Sequence, residues 1–281
     1  MSAAPRDLDF LAGMAQASRA RVARARAQRN DQAMQALARA QPEPPALRLS
    51  AEGFDLVAEV KRRSPAVGQL DAAGEDIGAR ARDYARAGAA AISVLTEPTR
   101  FDGELEHLAQ VVVALEGRVP AMRKDFLVDP YQVYEARAAG AGGVLVILRM
   151  LEPPAVTALL DAAARSRMFV LLEAFDEADL EFAAALVAEY AVRLPLLAGV
   201  NCRDLTTLQV VPGRLEALAP RLPKNVPGVA ESGVENGADA QRLAAAGYRL
   251  ALVGSALMRA GDRVSLAREL LQAGRQGRRC G

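Results

Sequence analysis

The sequence predicts an α/β fold of the (β/α)8 TIM barrel class, preceded by an N-terminal helical extension. Eight short apolar runs of strand-like composition follow one another along the chain, and a longer segment with helical spacing follows each of them. The runs occupy residues 56–60, 90–95, 120–122, 143–148, 168–172, 196–200, 226–230 and 250–253. Doubly wound sheets also alternate strands with helices, but eight such units favour a closed barrel of parallel strands.

Three of the eight strand–helix units share a short sequence motif where a helix leads into the next strand. In each, small residues and a glycine, at Gly88, Gly140 and Gly247, precede the next apolar run. Glycine just past the last helical turn can take the left-handed conformation that ends a helix. The runs that follow are continuously apolar, which is typical of parallel strands buried on both faces.

Length and composition agree with one barrel and a short extension. The chain has 281 residues, and we assign residues 1–50 to a helical extension that covers the barrel and residues 51–281 to the catalytic barrel. No apolar run is long enough to cross a bilayer and no secretory signal is visible, so we expect a soluble, cytoplasmic protein. The net charge of +1 does not favour nucleic acid or an acidic membrane as a partner, and two cysteines fit a reducing compartment.

The extension carries a basic amphipathic helix. Its apolar face repeats at helical spacing, and arginines occupy the other faces. The face consists of Leu11, Met14, Ser18, Val22 and Ala25, and the arginines are Arg19, Arg21, Arg24, Arg26 and Arg29. We favour a helix packed on the barrel over a nucleic-acid-binding arm because the total charge is balanced. Asp7 and Asp9 weaken a third interpretation, a transit peptide.

Charged and amide residues stand where the apolar runs end, and these are the candidate catalytic residues. They are Glu59, Lys61, Lys124, Glu173, Asn201 and Glu231. The carboxyl ends of barrel strands meet at one face, where the reacting groups of such enzymes lie, so residues distant in sequence would converge. Glu59 and Lys61 are two apart in an extended chain and therefore point to the same side.

The last two units predict a phosphate site. Ser232 and Gly233 follow the seventh run, and Gly254 and Ser255 follow the eighth. Loops at these positions commonly offer backbone N–H groups to a phosphate, glycine allows close approach and serine adds a hydroxyl donor. A small phosphorylated substrate is therefore expected.

Several kinds of chemistry are disfavoured. His107 is the only histidine, which argues against histidine-based triads and multi-histidine metal sites. The sequence has no glycine-rich dinucleotide motif or phosphate-binding lysine loop, so neither a metal nor a cofactor is expected. Proton transfer by lysine and glutamate remains.

These motifs together resemble the indole-3-glycerol phosphate synthase family over most of the barrel. The residues that carry the resemblance are Ala58-Glu-Val-Lys61 with Ser64-Pro65, Ile92-Ser-Val-Leu-Thr-Glu97, Arg123-Lys-Asp-Phe126, Asp129, Tyr131-Gln-Val-Tyr-Glu-Ala-Arg137, Asn201 with Arg203-Asp-Leu205, Glu231-Ser-Gly233 and Leu252-Val-Gly-Ser255. The resemblance implies a cofactor-free carboxy-lyase of tryptophan biosynthesis. It would convert 1-(2-carboxyphenylamino)-1-deoxyribulose 5-phosphate to indole-3-glycerol phosphate with loss of CO2 and water.

The resemblance also implies roles for individual residues. Lys124 would be the general acid and Glu173 the general base, with Glu59 as partner in dehydration and Lys61 paired with the substrate carboxylate. Asn201 and Glu231 would position the substrate hydroxyls and the lysine. The phosphate shell would consist of Ser64, Arg203, Ser232, Gly233, Gly254 and Ser255, and the aromatic ring would pack on Phe101, Phe126 and Leu252.

The chain departs from the family pattern at a few positions. Ala66 and Val67 replace a hydroxyl and a positive charge in the loop after the first strand, Cys202 replaces a polar residue, and the run Glu173-Ala174-Phe175 lacks a histidine that is frequent in the family. We expect activity with altered loop kinetics or ring-substituent tolerance. Three alternative functions are a phosphoribosylanthranilate isomerase, a paralogue with a specialised substrate and a non-catalytic barrel that binds a sugar phosphate. The sequence does not distinguish a monomer from a weak dimer.

Overall fold

The structure is a computed structural model that describes residues 5–65, 68–70, 75–204, 207 and 209–280. Among these, the side chains of residues 5–9, 279 and 280 are not described. Ala66, Val67 and Leu205, with the side chains of Asp7, Asp9 and Cys280, thus lie outside the described residues.

Eight parallel strands close into one barrel, so the predicted fold class is confirmed. The strands are β1 (Asp55–Val60), β2 (Ala91–Leu95), β3 (Ala121–Lys124), β4 (Gly143–Ile147), β5 (Phe169–Ala174), β6 (Leu196–Asn201), β7 (Gly228–Glu231) and β8 (Leu250–Val253). Each strand pairs with its neighbours in sequence, and β1 pairs with β8 to close the barrel. Several strands run longer than their apolar cores, so Lys124, Asn201 and Glu231 are the last residues of β3, β6 and β7.

Helices connect the strands on the outside of the barrel. They are α3 (Ile77–Ala87), α4 (Pro98–Phe101), α5 (Leu105–Leu115), α6 (Pro130–Ala138), α7 (Pro153–Arg165), α8 (Glu177–Tyr190), α9 (Arg214–Leu218), α10 (Gly237–Ala245), α11 (Ser255–Arg259) and α12 (Arg263–Cys280), after the two N-terminal helices α1 (Pro5–Gln28) and α2 (Asp31–Ala40). Two 3-10 turns, Leu148–Met150 and Ala219–Arg221, and a short antiparallel pair, Arg63–Ser64 with Gly68–Gln69, complete the described elements.

Alternation along the strands divides the core into two layers. In β1, Leu56, Ala58 and Val60 point outward and pack against the helices, whereas Val57 points into the barrel. Because successive strand side chains point to opposite faces, Glu59 also points inward. The interior is apolar at its base and becomes charged toward the carboxyl ends of the strands.

The N-terminal extension contains two helices where the sequence predicted one. The predicted apolar face of α1 is buried at Leu11, Met14, Ser18 and Val22, and the Ser18 hydroxyl donates to the Phe126 backbone carbonyl at 2.6 Å. Arg21, one of the arginines predicted on the other faces of this helix, turns toward the barrel, where Asp125 accepts two hydrogen bonds from it. The assignment of residues 1–50 to a separate extension stays a prediction. None of the described helices is long and apolar enough to span a membrane.

Candidate active site

A cavity at the carboxyl ends of the strands encloses about 1060 Å³ of empty space, its open mouth included. Every residue that the sequence proposed for catalysis or binding lines this cavity. The reason is topological, because all eight parallel strands deliver their last residues to the same face.

Lys124 lies at the centre of a group of carboxylates on the cavity floor. Its Nζ is 3.3 Å from Glu173 Oε1 and 3.3 Å from Glu231 Oε2. Asn201 Nδ2 donates to the same Glu173 oxygen at 2.9 Å. Three strands thus converge on one ammonium group, and Glu173 is held from two sides.

A second ion pair lies at the end of β1. Lys61 Nζ is 2.6 Å from Glu59 Oε1, and both side chains are largely buried. Gly254 faces this pair so closely that an added Cβ would meet the Glu59 carboxylate and lie 2.9 Å from Lys61 Nζ. Only glycine, which has no Cβ, fits at position 254 beside the Glu59–Lys61 ion pair without a steric clash.

Burial and charge shift the pKa values of these groups in different directions. Burial opposes the charge on Lys124, but the surrounding carboxylates, Glu173 foremost, more than offset it and raise the pKa of the ammonium. Burial likewise opposes ionisation of Glu59, yet the cations Lys61 and Lys124 lower the pKa of its carboxyl. Burial and then the charge of Glu173 raise the pKa of Glu231 well above its ordinary value. At neutral pH the site therefore holds a cationic Lys124 and an anionic Glu59, whereas the environment of Glu231 favours the protonated form of its carboxyl.

The Glu231 carboxyl is packed against the backbone of β6. A Cβ added to Gly199 would collide with Glu231 Oε1, and that oxygen is a buried polar atom with no hydrogen-bond partner among the described residues. An unpaired buried carboxylate oxygen disfavours the charged form. The packing thus agrees with the raised pKa.

The predicted phosphate residues form one side of the cavity. Ser232 and Gly233 both have left-handed backbones, with φ of 69° and 73°. Ser232 Oγ donates to Asn201 Oδ1 at 2.9 Å, and the backbone N–H of Arg203 donates to the same oxygen at 2.9 Å. Asn201 thereby joins this side of the cavity to the Lys124 cluster.

Cys202 supports the turn after β7. Its buried Sγ donates to the Ser232 carbonyl at 3.3 Å, and an added Cβ at Gly233 would lie 3.0 Å from that sulfur. Burial raises the pKa of the thiol, so it stays protonated and able to donate. The described part of the chain holds no cluster of three or more His, Cys, Asp and Glu residues that could bind a metal ion.

The opposite side of the cavity is apolar. It is built by α1, by residues of β2 and β4 and by residues that follow β2, β3 and β5, whereas the polar side comes from the ends of β6 and β7 and the segments after β1, β6, β7 and β8. The apolar side includes Phe10, Leu11, Leu95, Phe101, Phe126, Leu145, Ile147 and Phe175, and Leu252 of β8 adds an apolar side chain to the lining. Phe126 meets Phe10 edge-on at 6.0 Å between ring centroids and Phe101 at 6.3 Å. The cavity can therefore take a ligand with an aromatic end and an anionic end.

A buried polar network holds α1 against this site. Asp125, next to Lys124, accepts hydrogen bonds from Arg21 at 2.7 and 2.9 Å, from Thr96 at 2.8 Å and from Arg123 at 3.0 Å. Burial opposes its charge, but Arg123 and Arg21 lower the pKa of the carboxyl to about 2. The helix that carries Phe10 and Leu11 is thus anchored beside the central lysine.

Part of the apolar lining was not predicted from the sequence. Leu145 and Ile147 alternate on β4, and Phe175 follows Glu173 by two residues, so strand periodicity could have found all three. No comparable signal pointed to Phe10, because α1 reaches the cavity only through its packing on the barrel.

Comparison with known proteins agrees with the geometry. The model of the indole-3-glycerol phosphate synthase family matches residues 11–270. The chain is 44% identical to an indole-3-glycerol phosphate synthase from Nocardioides sp. over 79% of this chain and 81% of that protein. It is 42% identical to one from Mycolicibacterium smegmatis over 84% and 85%, respectively.

Solved structures share the fold at low sequence identity. A 3-hexulose-6-phosphate synthase from Salmonella typhimurium is 16% identical with a TM-score of 0.61, over 79% of this chain and 99% of that chain. A thiamine phosphate pyrophosphorylase from Pyrococcus furiosus is 17% identical with a TM-score of 0.57, over 80% and 97%. These two similarities concern the barrel alone.

Proposed function

Because the chain belongs to the indole-3-glycerol phosphate synthase family, we propose that it converts 1-(2-carboxyphenylamino)-1-deoxyribulose 5-phosphate to indole-3-glycerol phosphate. The reaction releases CO2 and water and needs no cofactor, and the pathway we assign to it is tryptophan biosynthesis. The observation that carries the proposal is the central lysine, with Lys124 Nζ 3.3 Å from both Glu173 and Glu231 in a cavity with one aromatic and one polar side.

Ring closure requires an acid that protonates the ketose carbonyl while the aromatic carbon attacks it. We assign this step to Lys124. Its raised pKa keeps the proton on Nζ at neutral pH until substrate arrives. The neighbouring carboxylates then stabilise the ammonium that re-forms in later steps.

Orientation of the substrate follows from the two sides of the cavity. The phosphate would bind among Ser64, Arg203, Ser232, Gly233, Gly254 and Ser255, and the ring would pack on Phe101, Phe126 and Leu252. Lys61 would pair with the substrate carboxylate that leaves as CO2. This arrangement places the ketose between the two ends, above the lysine.

Dehydration completes the indole and requires a base and an acid. We assign Glu173 as the base, held by Asn201, and Glu59 as the acid partner. Glu59 is ionised in the free site because Lys61 and Lys124 lower its pKa. Its acid role therefore requires that it take up a proton from water while Lys61 is paired with the substrate carboxylate, before CO2 leaves, and that it keep this proton until it passes it to the departing hydroxyl.

Turnover of the synthetic substrate tests the proposal directly. Purified protein is incubated with the carboxyphenylamino-deoxyribulose phosphate, and indole fluorescence and CO2 are followed together. We expect equal amounts of both products, a loss of roughly 10²-fold or more in kcat for Lys124→Ala, and full activity for the exposed-lysine control Lys224→Ala.

Binding of the phosphate ligand without turnover would contradict the proposed activity. That result would favour a specialised paralogue or a non-catalytic binding protein. Cytoplasmic location and a monomeric or weakly dimeric state stay predictions.

A further inference from the structure

Phe175 is a buried aromatic residue in the wall of the candidate active site, and none of the roles assigned above involves it. It follows β5 directly, is 4% exposed and lines the cavity. Glu173 and Phe175 are two residues apart at the end of one strand, so both side chains face the interior. An aromatic ring therefore stands beside the carboxylate that we assign as the base.

The guanidinium of Arg149 stacks over the ring of Phe175. Its guanidinium carbon lies 4.7 Å from the ring centroid, in cation–π geometry. Arg149 belongs to the 3-10 turn after β4, so the contact joins two adjacent loops at the rim of the barrel.

Two aspartates at the start of α8 fix the guanidinium. Arg149 Nη2 donates to Asp176 at 2.5 Å, and Arg149 Nε donates to Asp179 at 2.8 Å. The Phe175 backbone N–H donates to the same Asp179 oxygen at 2.8 Å. Backbone and side chain of Phe175 are thus held by one ion-pair cluster, and its ring has little freedom to move away from a ligand.

The wall stands on the apolar side of the cavity. Ile147 precedes the 3-10 turn that carries Arg149 and also lines the cavity, as does Leu145 on the same strand. A rigid apolar wall discriminates by shape, since it excludes any substituent that needs the volume of its side chains.

We propose that Phe175, clamped by Arg149, is a specificity-determining residue that limits which substituents the aromatic ring of the substrate can carry. Arg149 is a positioning residue that acts through the ring of Phe175. The inference rests on the proposed function and identifies the part of the site that selects among ring-substituted carboxyphenylamino substrates.

The test compares kcat/KM for the unsubstituted substrate with kcat/KM for substrates that carry one methyl group at each open ring position. For Phe175→Ala and the milder Phe175→Leu, we expect the ratio of methylated to unsubstituted substrate to rise by roughly tenfold or more at one position. Arg149→Met is expected to raise the same ratio by a smaller factor. Phe182→Ala is the matched control, because Phe182 packs outside the barrel strands and should leave the ratio unchanged.

Three outcomes are distinguishable. A ratio that stays within about twofold of the wild type in both folded Phe175 variants would overturn the inference while leaving the proposed function intact. A rise equal to that of Phe182→Ala would overturn it too, because general loosening would then explain the effect. If the wild-type protein turns over none of the substrates, both the proposed function and this inference are refuted.

Discussion

Neutralising Asp125 tests how the N-terminal helix is held against the barrel. Asp125→Asn keeps the size of the side chain and its capacity to accept from Thr96, but it removes the charge that pairs with Arg21 and Arg123. Both arginines are largely or fully buried, so Arg21 would lose its compensating anion inside the protein and Arg123 would keep only Glu135.

The magnitude follows from the pKa of the carboxyl. A pKa of about 2 in the folded protein, against an ordinary 3.8, corresponds to about 2 kcal/mol of folding free energy at about 1.4 kcal/mol per pH unit. Because the folded-state pKa is depressed, this contribution is complete above pH 3.8 and is lost as pH falls toward 2. Removing one partner of a buried pair costs up to about 5 kcal/mol, so we expect a loss of about 2 to 5 kcal/mol at neutral pH.

Urea denaturation of the wild type and the variant between pH 7 and pH 2.5 measures this difference. We expect the gap between the two free energies of unfolding to be largest above pH 5 and to shrink below pH 4. Asp161→Asn is the matched control, because Asp161 pairs with Arg193 at the surface and should cost less than about 1 kcal/mol. A gap that is no larger than the control's, or that does not change with pH, would refute the reasoning.

Three further perturbations address the site. Gly254→Ala should lower kcat/KM by about 10²-fold, measured with the synthase substrate, because the new Cβ collides with the Glu59–Lys61 pair. Glu231→Gln should be at least as stable as the wild type, with the gap in Tm widening as pH rises above 4.5, because the raised folded-state pKa means that the unfolded chain loses the Glu231 proton at lower pH than the folded protein does. Arg21→Ala should raise KM by roughly tenfold, more than it lowers kcat, because α1 loses its anchor to Asp125.

Each of the three has a matched control or a contrary outcome. For Gly254→Ala the control is Gly13→Ala, because nothing lies within 4 Å of the added Cβ at position 13. Wild-type stability that rises with pH relative to Glu231→Gln would mean that the Glu231 carboxyl is ionised in the folded protein. Arg21→Ala is compared with Arg19→Ala on the exposed face of the same helix, and equal KM values for the two would argue against an anchoring role.

Much of the candidate site could be predicted because, in a parallel barrel, the position of a residue along its strand fixes its height in the barrel. A polar residue at the end of an apolar parallel strand must emerge at the carboxyl face, as Lys124 and Asn201 do. The pairing of Glu59 with Lys61 likewise follows from strand periodicity alone, and the structure gives it at 2.6 Å.

Contacts between residues that are far apart in the sequence could not be predicted from local patterns. Local patterns separated the buried face of α1 from its arginines, but they did not predict the ion pair of Arg21 because its partner, Asp125, lies 104 positions away in sequence. The clamp of Arg149 on Phe175 joins the loops after two different strands and was missed for the same reason.

Sequence periodicity alone predicts the fold class, which the closed barrel confirms, and it predicts which polar residues stand at the carboxyl ends of the strands. The folded arrangement sets the pKa shifts of those residues, such as the raised pKa of Glu231 beside the cationic Lys124. It also decided which loops and helices close the apolar side of the cavity. Periodicity is a property of neighbouring residues, whereas burial and Coulomb interaction depend on every group that the fold brings near, however distant in the chain.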